Sequence, residues 1–183
     1  MNLLQTTLIL AVAFLAVFGE ATFPVLRYWF GVQVDLLPVL MVYAALNADI
    51  VTVSLLAGLG GLWFDALSAN PLGISILPLY AVGFLINFRS DLILRELAFA
   101  RLVLGTVASA VVPALSVLCL LTAGKQPLLG WGSLWQWIVL TAVGAAATPL
   151  VFALFDRCNR ALGYQPRVET SFRPDREIRR GRL

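Results

Sequence analysis

Apolar residues fill this chain in six long runs, separated by short polar or turn-forming breaks. The runs cover residues 3–18, 36–46, 50–67, 73–88, 102–123 and 134–155, the second extending back into the preceding loop because it is short. None shows the strict apolar–polar alternation of a barrel strand. A hydrocarbon layer about 30 Å thick calls for roughly 20 apolar residues per helix. Helices also satisfy their own backbone polar groups, which lipid cannot do. The pattern therefore predicts an all-α polytopic membrane protein with six transmembrane helices over residues 1–155. Residues 156–183 form a basic tail with few apolar positions, expected to be disordered or to lie on the lipid surface.

Composition strengthens this reading: 60% of residues are hydrophobic and only 13% are charged, too few for an ordinary soluble domain. The first run could pass for a signal peptide, with Gly19-Glu20-Ala21 as a weak cleavage site. Its start carries no Lys or Arg, which favours a retained helix.

The net charge of +3 reads as a statement about topology. Arg89, Arg95 and Arg101 share one interhelical loop, and eight further arginines follow Phe155. Only Arg27 and Lys125 lie in loops that six spans place on the opposite face. Basic residues concentrate on the cytoplasmic side, so both termini are expected there. The tail interleaves its arginines with Asp156, Glu169, Asp175 and Glu177, which reads as a topological anchor or a partner-docking segment and not as a nucleic-acid site.

Chemistry is sparse. With no histidine and two cysteines, the common zinc sites and the usual general bases are absent. Cys119 falls within the fifth span and Cys158 just past the sixth, too far apart for a disulfide. No Gly-rich phosphate loop appears, no cofactor is implied, and no enzyme is expected. Glu20, Asp35 and Asp65 fall towards the outer face, and Asp49 towards the cytoplasm.

The densest local signal runs from Gly58-Leu59-Gly60-Gly61-Leu62-Trp63-Phe64-Asp65 to Asn70-Pro71-Leu72-Gly73. Spacings of three and four place Gly58, Gly61 and Asp65 on one helical face, where small residues let a neighbouring helix approach. An acid within a membrane helix is costly, so Asp65 should face protein or a polar cavity. Ser68, Asn70 and free amides in the following turn are its nearest candidate partners, with Arg27 the nearest cation. Asp65 reads as a tie for that turn, a ligand or proton site, or a contact to a partner protein.

Asp35-Leu36-Leu37-Pro38, the short helix through residues 41–46, the Gly-rich third span ending at Asp65 and the Asn70-Pro71-Leu72-Gly73 turn together resemble the MreD family, bacterial rod shape-determining membrane proteins. The match covers residues 35–88, and overall size and six-span topology fit as well. What the resemblance implies is a non-enzymatic component of the cell-elongation complex in the bacterial cytoplasmic (inner) membrane. Its expected partners are MreC, then a RodA-type glycosyltransferase, a class B transpeptidase and MreB, with membrane lipids around it and no nucleic acid. The implied fold is similar to the six-helix substrate-binding subunits of energy-coupling-factor transporters. Gly58, Gly61, Asp65, Asn70, Pro71 and Gly73 are the candidate packing or partner-binding residues.

The rival class is a vitamin-binding transport subunit of that kind. Such subunits commonly carry an Ala-x-x-x-Ala pattern on the first helix, whereas Ala11, Ala13, Ala16 and Ala21 never fall four apart. Asn47, Asp65, Asn70, Tyr80 and Asn87 are also few for a polar pocket. Elsewhere, Gly105 with Ser109 and Gly144 with Thr148 form small-residue stripes suited to helix packing. Pro38, Pro78, Pro113 and Pro149 fall within four spans and are expected to kink them. Trp131, Trp135 and Trp137 form an expected interfacial anchor.

Overall fold

The computed structural model describes residues 3–22, 31–32, 34–68, 71–90, 98–125 and 130–161, and within them the chain is helical with no strand. Six helices follow one another: α1 (Leu3–Thr22), α2 (Leu37–Asn47), α3 (Ile50–Leu67), α4 (Ile76–Phe88), α5 (Ala98–Thr122) and α6 (Trp131–Ala161). Of these, α1, α3, α5 and α6 are long and apolar enough to cross a membrane, as in an all-α membrane protein. The expected tail enters the described residues only at its start, where α6 continues past Phe155 to Ala161. The arginines from Arg167 onward and Arg27 lie outside them.

Cross-ties at both ends show the chain running back and forth. At the near end, where α1 begins, Gln5 Nε2 donates to the Asn47 carbonyl (3.1 Å) and Thr6 meets Thr52 hydroxyl to hydroxyl (2.8 Å). Asn87 Nδ2, at the close of α4, donates to the Ala45 carbonyl there (2.9 Å). At the far end the Leu36 amide donates to Glu20 (3.0 Å), and residues opening α4 bond to Asp65. α5 starts at the near end and α6 returns to it, since Arg101 pairs with Asp156 (3.5 Å). Successive helices are therefore antiparallel.

α2 is the axis of the bundle. Every residue from Leu37 to Leu46 is buried, including Tyr43 at 1% exposure, so this helix is apolar all round because protein surrounds it. Its 11 residues reach only about 16 Å, half the hydrocarbon thickness. Aromatic packing joins it to α6: the Tyr43 ring stacks on Phe155 (4.1 Å between centroids) and meets Phe152 edge-on (5.2 Å).

Two of the four prolines act differently from the expected kinks. Pro38 sits in the opening turn of α2 and Pro78 in the first turn of α4, where an amide has no intrahelical acceptor and its loss costs little. Pro113 and Pro149 do lie inside α5 and α6. The α5–α6 seam is steric. A Cβ at Gly105 would collide with the Thr148 side chain, and one at Gly144 with Ser109. Each glycine is the notch for a hydroxyl residue of the opposite helix, which brings the two backbones close.

α3 is interrupted. Residues Leu56–Gly60 form one wide π-helical turn between α-helical halves. Such a turn inserts extra backbone and rotates everything beyond it, so positions three and four apart across it no longer share a face.

Candidate functional site

The buried polar joint lies at the far end, where α3 passes through a turn into α4. α3 stops at Ser68, whose backbone turns extended, and Gly73 then takes a left-handed conformation (φ 91°) that favours glycine. This turns the following amides back on the helix just left. Asp65, 1% exposed, receives them: its Oδ2 accepts from the Gly73 amide (2.8 Å) and the Ser75 amide (3.1 Å), and its Oδ1 from the Ser75 hydroxyl (2.5 Å). One carboxylate thereby satisfies three donors of the turn, including the amide just before α4, where the helix's positive end also favours an anion. Gly61, one helical turn earlier, lets α4 close in, since its Cβ would stand 3.0 Å from the Ile76 Cα.

Two more acids gather at this end. Glu20, in the last turn of α1, accepts the Leu36 amide through Oε1, while Oε2 is buried with no hydrogen-bond partner among the described residues. Asp35 Oδ1 accepts the Leu37 amide (2.8 Å) and so starts α2. Burial pushes the Asp35 carboxyl up to about 7; the Leu37 amide pulls the other way, and the charge of Asp65 adds to the rise. Together Glu20, Asp35 and Asp65 organise three chain segments by accepting backbone amides. No group of three His, Cys, Asp or Glu side chains suited to a metal ion occurs among the described residues.

Of the candidate residues, the structure brings together Gly61, Asp65 and Gly73. Pro71 lies exposed on the same turn, and Asn70 lies outside the described residues. Gly58 departs from the expected stripe: a Cβ there would meet nothing within 4 Å. The wide turn at Leu56–Gly60 is the reason, because it breaks the helical spacing on which the stripe depends. Gly60 takes up closeness instead, its Cβ position lying 3.2 Å from Leu37 Cδ2.

Sequence reasoning overlooked Ser75, which donates both its amide and its hydroxyl to Asp65, and the Glu20–Leu36 tie. It also overlooked Gly83, whose Cβ position falls against Met41 and Val53 at the α4–α2 crossing. Ser75 had a readable signal, since a small polar residue commonly precedes a helix. The other two depend on which helices meet.

A second polar group closes the near end. Asn159 Nδ2 donates to the Tyr43 hydroxyl (3.1 Å), and the Arg101 guanidinium lies over the Phe152 ring, 4.9 Å from its centroid. The first contact holds the end of α6 to the central helix, and the second holds the start of α5 to α6. Compared with protein families, with characterised proteins and with solved structures, the chain matches none of them at a significant level.

Proposed function

We propose that this chain is a non-enzymatic, multi-pass scaffold of the MreD kind, working in the bacterial cytoplasmic membrane. On this reading all six helices belong to the membrane domain, in a fold similar to the substrate-binding subunits of energy-coupling-factor transporters. The near end, with Arg89, Arg101, Arg157 and Arg160, faces the cytoplasm, and both termini lie on that side. The partner expected first is MreC, through which the chain would help link MreB filaments to a RodA-type glycosyltransferase and a class B transpeptidase.

The observation that carries the proposal is the use made of the buried polar groups in residues 35–88, the segment that bears the resemblance. The Asp65 carboxylate is fully engaged by Gly73 and Ser75, and Asn87 reaches the carbonyls of Ala45 and Ala48. These groups hold helices in place. A rigid bundle with wide apolar flanks is suited to binding other helices side by side.

Affinity purification of the full-length tagged chain from bacterial membranes in mild detergent tests the reading. Co-purification of an MreC-type protein is the expected result, with retention weakened by Asp65→Asn if the joint shapes the contact surface. Recovery of a transmembrane coupling subunit with its ATPases would replace this proposal with the transport reading.

A further inference from the structure

Helix lengths differ sharply around the bundle. α5, with 25 residues, reaches about 37 Å, and α1, with 20, about 30 Å, whereas the 13 residues of α4 reach only about 20 Å. The still shorter α2, with 11 residues, is enclosed by protein. α4 is different: Leu77, Tyr80, Phe84, Leu85 and Phe88 stand exposed along one side, at 64%, 40%, 45%, 61% and 70%. Tyr80, Phe84 and Phe88 stack ring on ring down this face (5.9 and 6.1 Å).

Both ends of the face are pinned. At the near end Phe88 is followed by exposed Arg89, a cation suited to lipid phosphate, and Asn87 is bonded to the carbonyls that end α2. At the far end Asp65 holds the turn through Gly73 and Ser75. α4 therefore has no freedom to slide or lengthen, and tilting would shorten its reach further. A hydrocarbon layer of about 30 Å exceeds it by about 10 Å.

We propose that the lipid bilayer beside α4 is locally thinned by about a third, so that both leaflets bring their headgroups to the ends of this short apolar face. The inference rests on the six-helix membrane domain proposed above, in which α4 crosses the bilayer, and is independent of which proteins bind it. Lipid, not a second helix, is the occupant we assign, because exposed Arg89 at the near end of the face complements the phosphate charge.

The test uses the full chain with Cys119→Ser and Cys158→Ser, reconstituted in dioleoylphosphatidylcholine and spin-labelled at single cysteines. Leu77→Cys and Phe88→Cys report the two ends of α4. Val111→Cys, exposed near the middle of α5, reports membrane embedding. Leu77 and Phe88 lie about 16 Å apart along the helix, so in a flat bilayer their depths below the two headgroup planes add up to about 14 Å. Local thinning makes both labels shallow, with a sum of about 4 Å or less, while Val111 stays near the bilayer centre. A sum near 14 Å with Val111 deep overturns the proposal, including the case where Leu77 alone is deep because the turn is sunk in hydrocarbon. A shallow Val111 would overturn membrane embedding itself, and with it the scaffold reading.

Discussion

Where α5 crosses α6, side chains fill notches left by glycines; where α3 meets α4, a single carboxylate gathers the donors of the turn between them. The first interface spreads its energy over Gly105–Thr148, Ser109–Gly144 and the contacts beside them. The second concentrates it on Asp65. Dispersion contacts are individually weak, so the seam should tolerate partial damage. Unpaired buried donors are costly one by one, so the joint should fail at one residue.

The largest effect is expected at Asp65. Asp65→Ala leaves the Ser75 amide and hydroxyl and the Gly73 amide without their acceptor, at about 1–3 kcal/mol per buried group, or roughly 3 kcal/mol and upward together. Thermal unfolding in detergent measures this, and Asp65→Asn should lose less because an amide retains one accepting oxygen. A loss under about 1 kcal/mol for the alanine variant would mean that the turn finds other acceptors, erasing the contrast between the two interfaces.

Next comes the seam itself. Gly105→Val should cost about 1–3 kcal/mol by overpacking against Thr148. Adding Thr148→Ala should return part of that loss, because the space removed on one helix reappears on the other. Additive losses in this double-mutant cycle would show that the notch is not the contact that matters.

Gly58 and Gly61, both on α3, sharpen the comparison further. Gly61→Ala places a methyl against the Ile76 backbone and should destabilise by about 1 kcal/mol, whereas Gly58→Ala meets open space and should cost nothing. Equal losses in parallel melts would restore the single stripe that the spacing predicts.

A separate effect is a pH dependence. Asp35 is held at about 7 in the folded protein, against about 3.9 for an unfolded aspartate. The folded state therefore binds the proton more tightly, and this contribution to stability is complete below pH ~4, fades as pH rises to about 7 and is gone above it. Asp35→Asn should flatten that slope in melts recorded from pH 4 to 8. A slope unchanged by the substitution would assign it to another group, Glu20 being the neighbouring acid.

Helices α1, α3, α5 and α6 were legible because hydrophobicity is a local property: an apolar run of sufficient length must satisfy its own backbone wherever it lands in lipid. Asp65 was legible as a buried acid for the same reason, since a charge in such a run demands a partner. The identity of that partner was not, because Ser75 is ten positions further on and reaches Asp65 only after the turn reverses the chain. Gly58 misled because helical spacing assumes an unbroken helix, and nothing in Leu56–Gly60 announces a wider turn.

By itself, then, the sequence determined a membrane-embedded helical protein, the approximate extent of its long helices and the segment where its buried acid would matter. Tertiary structure alone decided that α2 is the enclosed axis, that Pro38 and Pro78 begin helices, that Gly61 and not Gly58 admits a neighbour, and that Glu20 holds the start of α2. Each of these depends on which surfaces meet across dozens of residues. Apolar runs are nearly interchangeable in lipid, so local pattern carries little information about which of them will pack together.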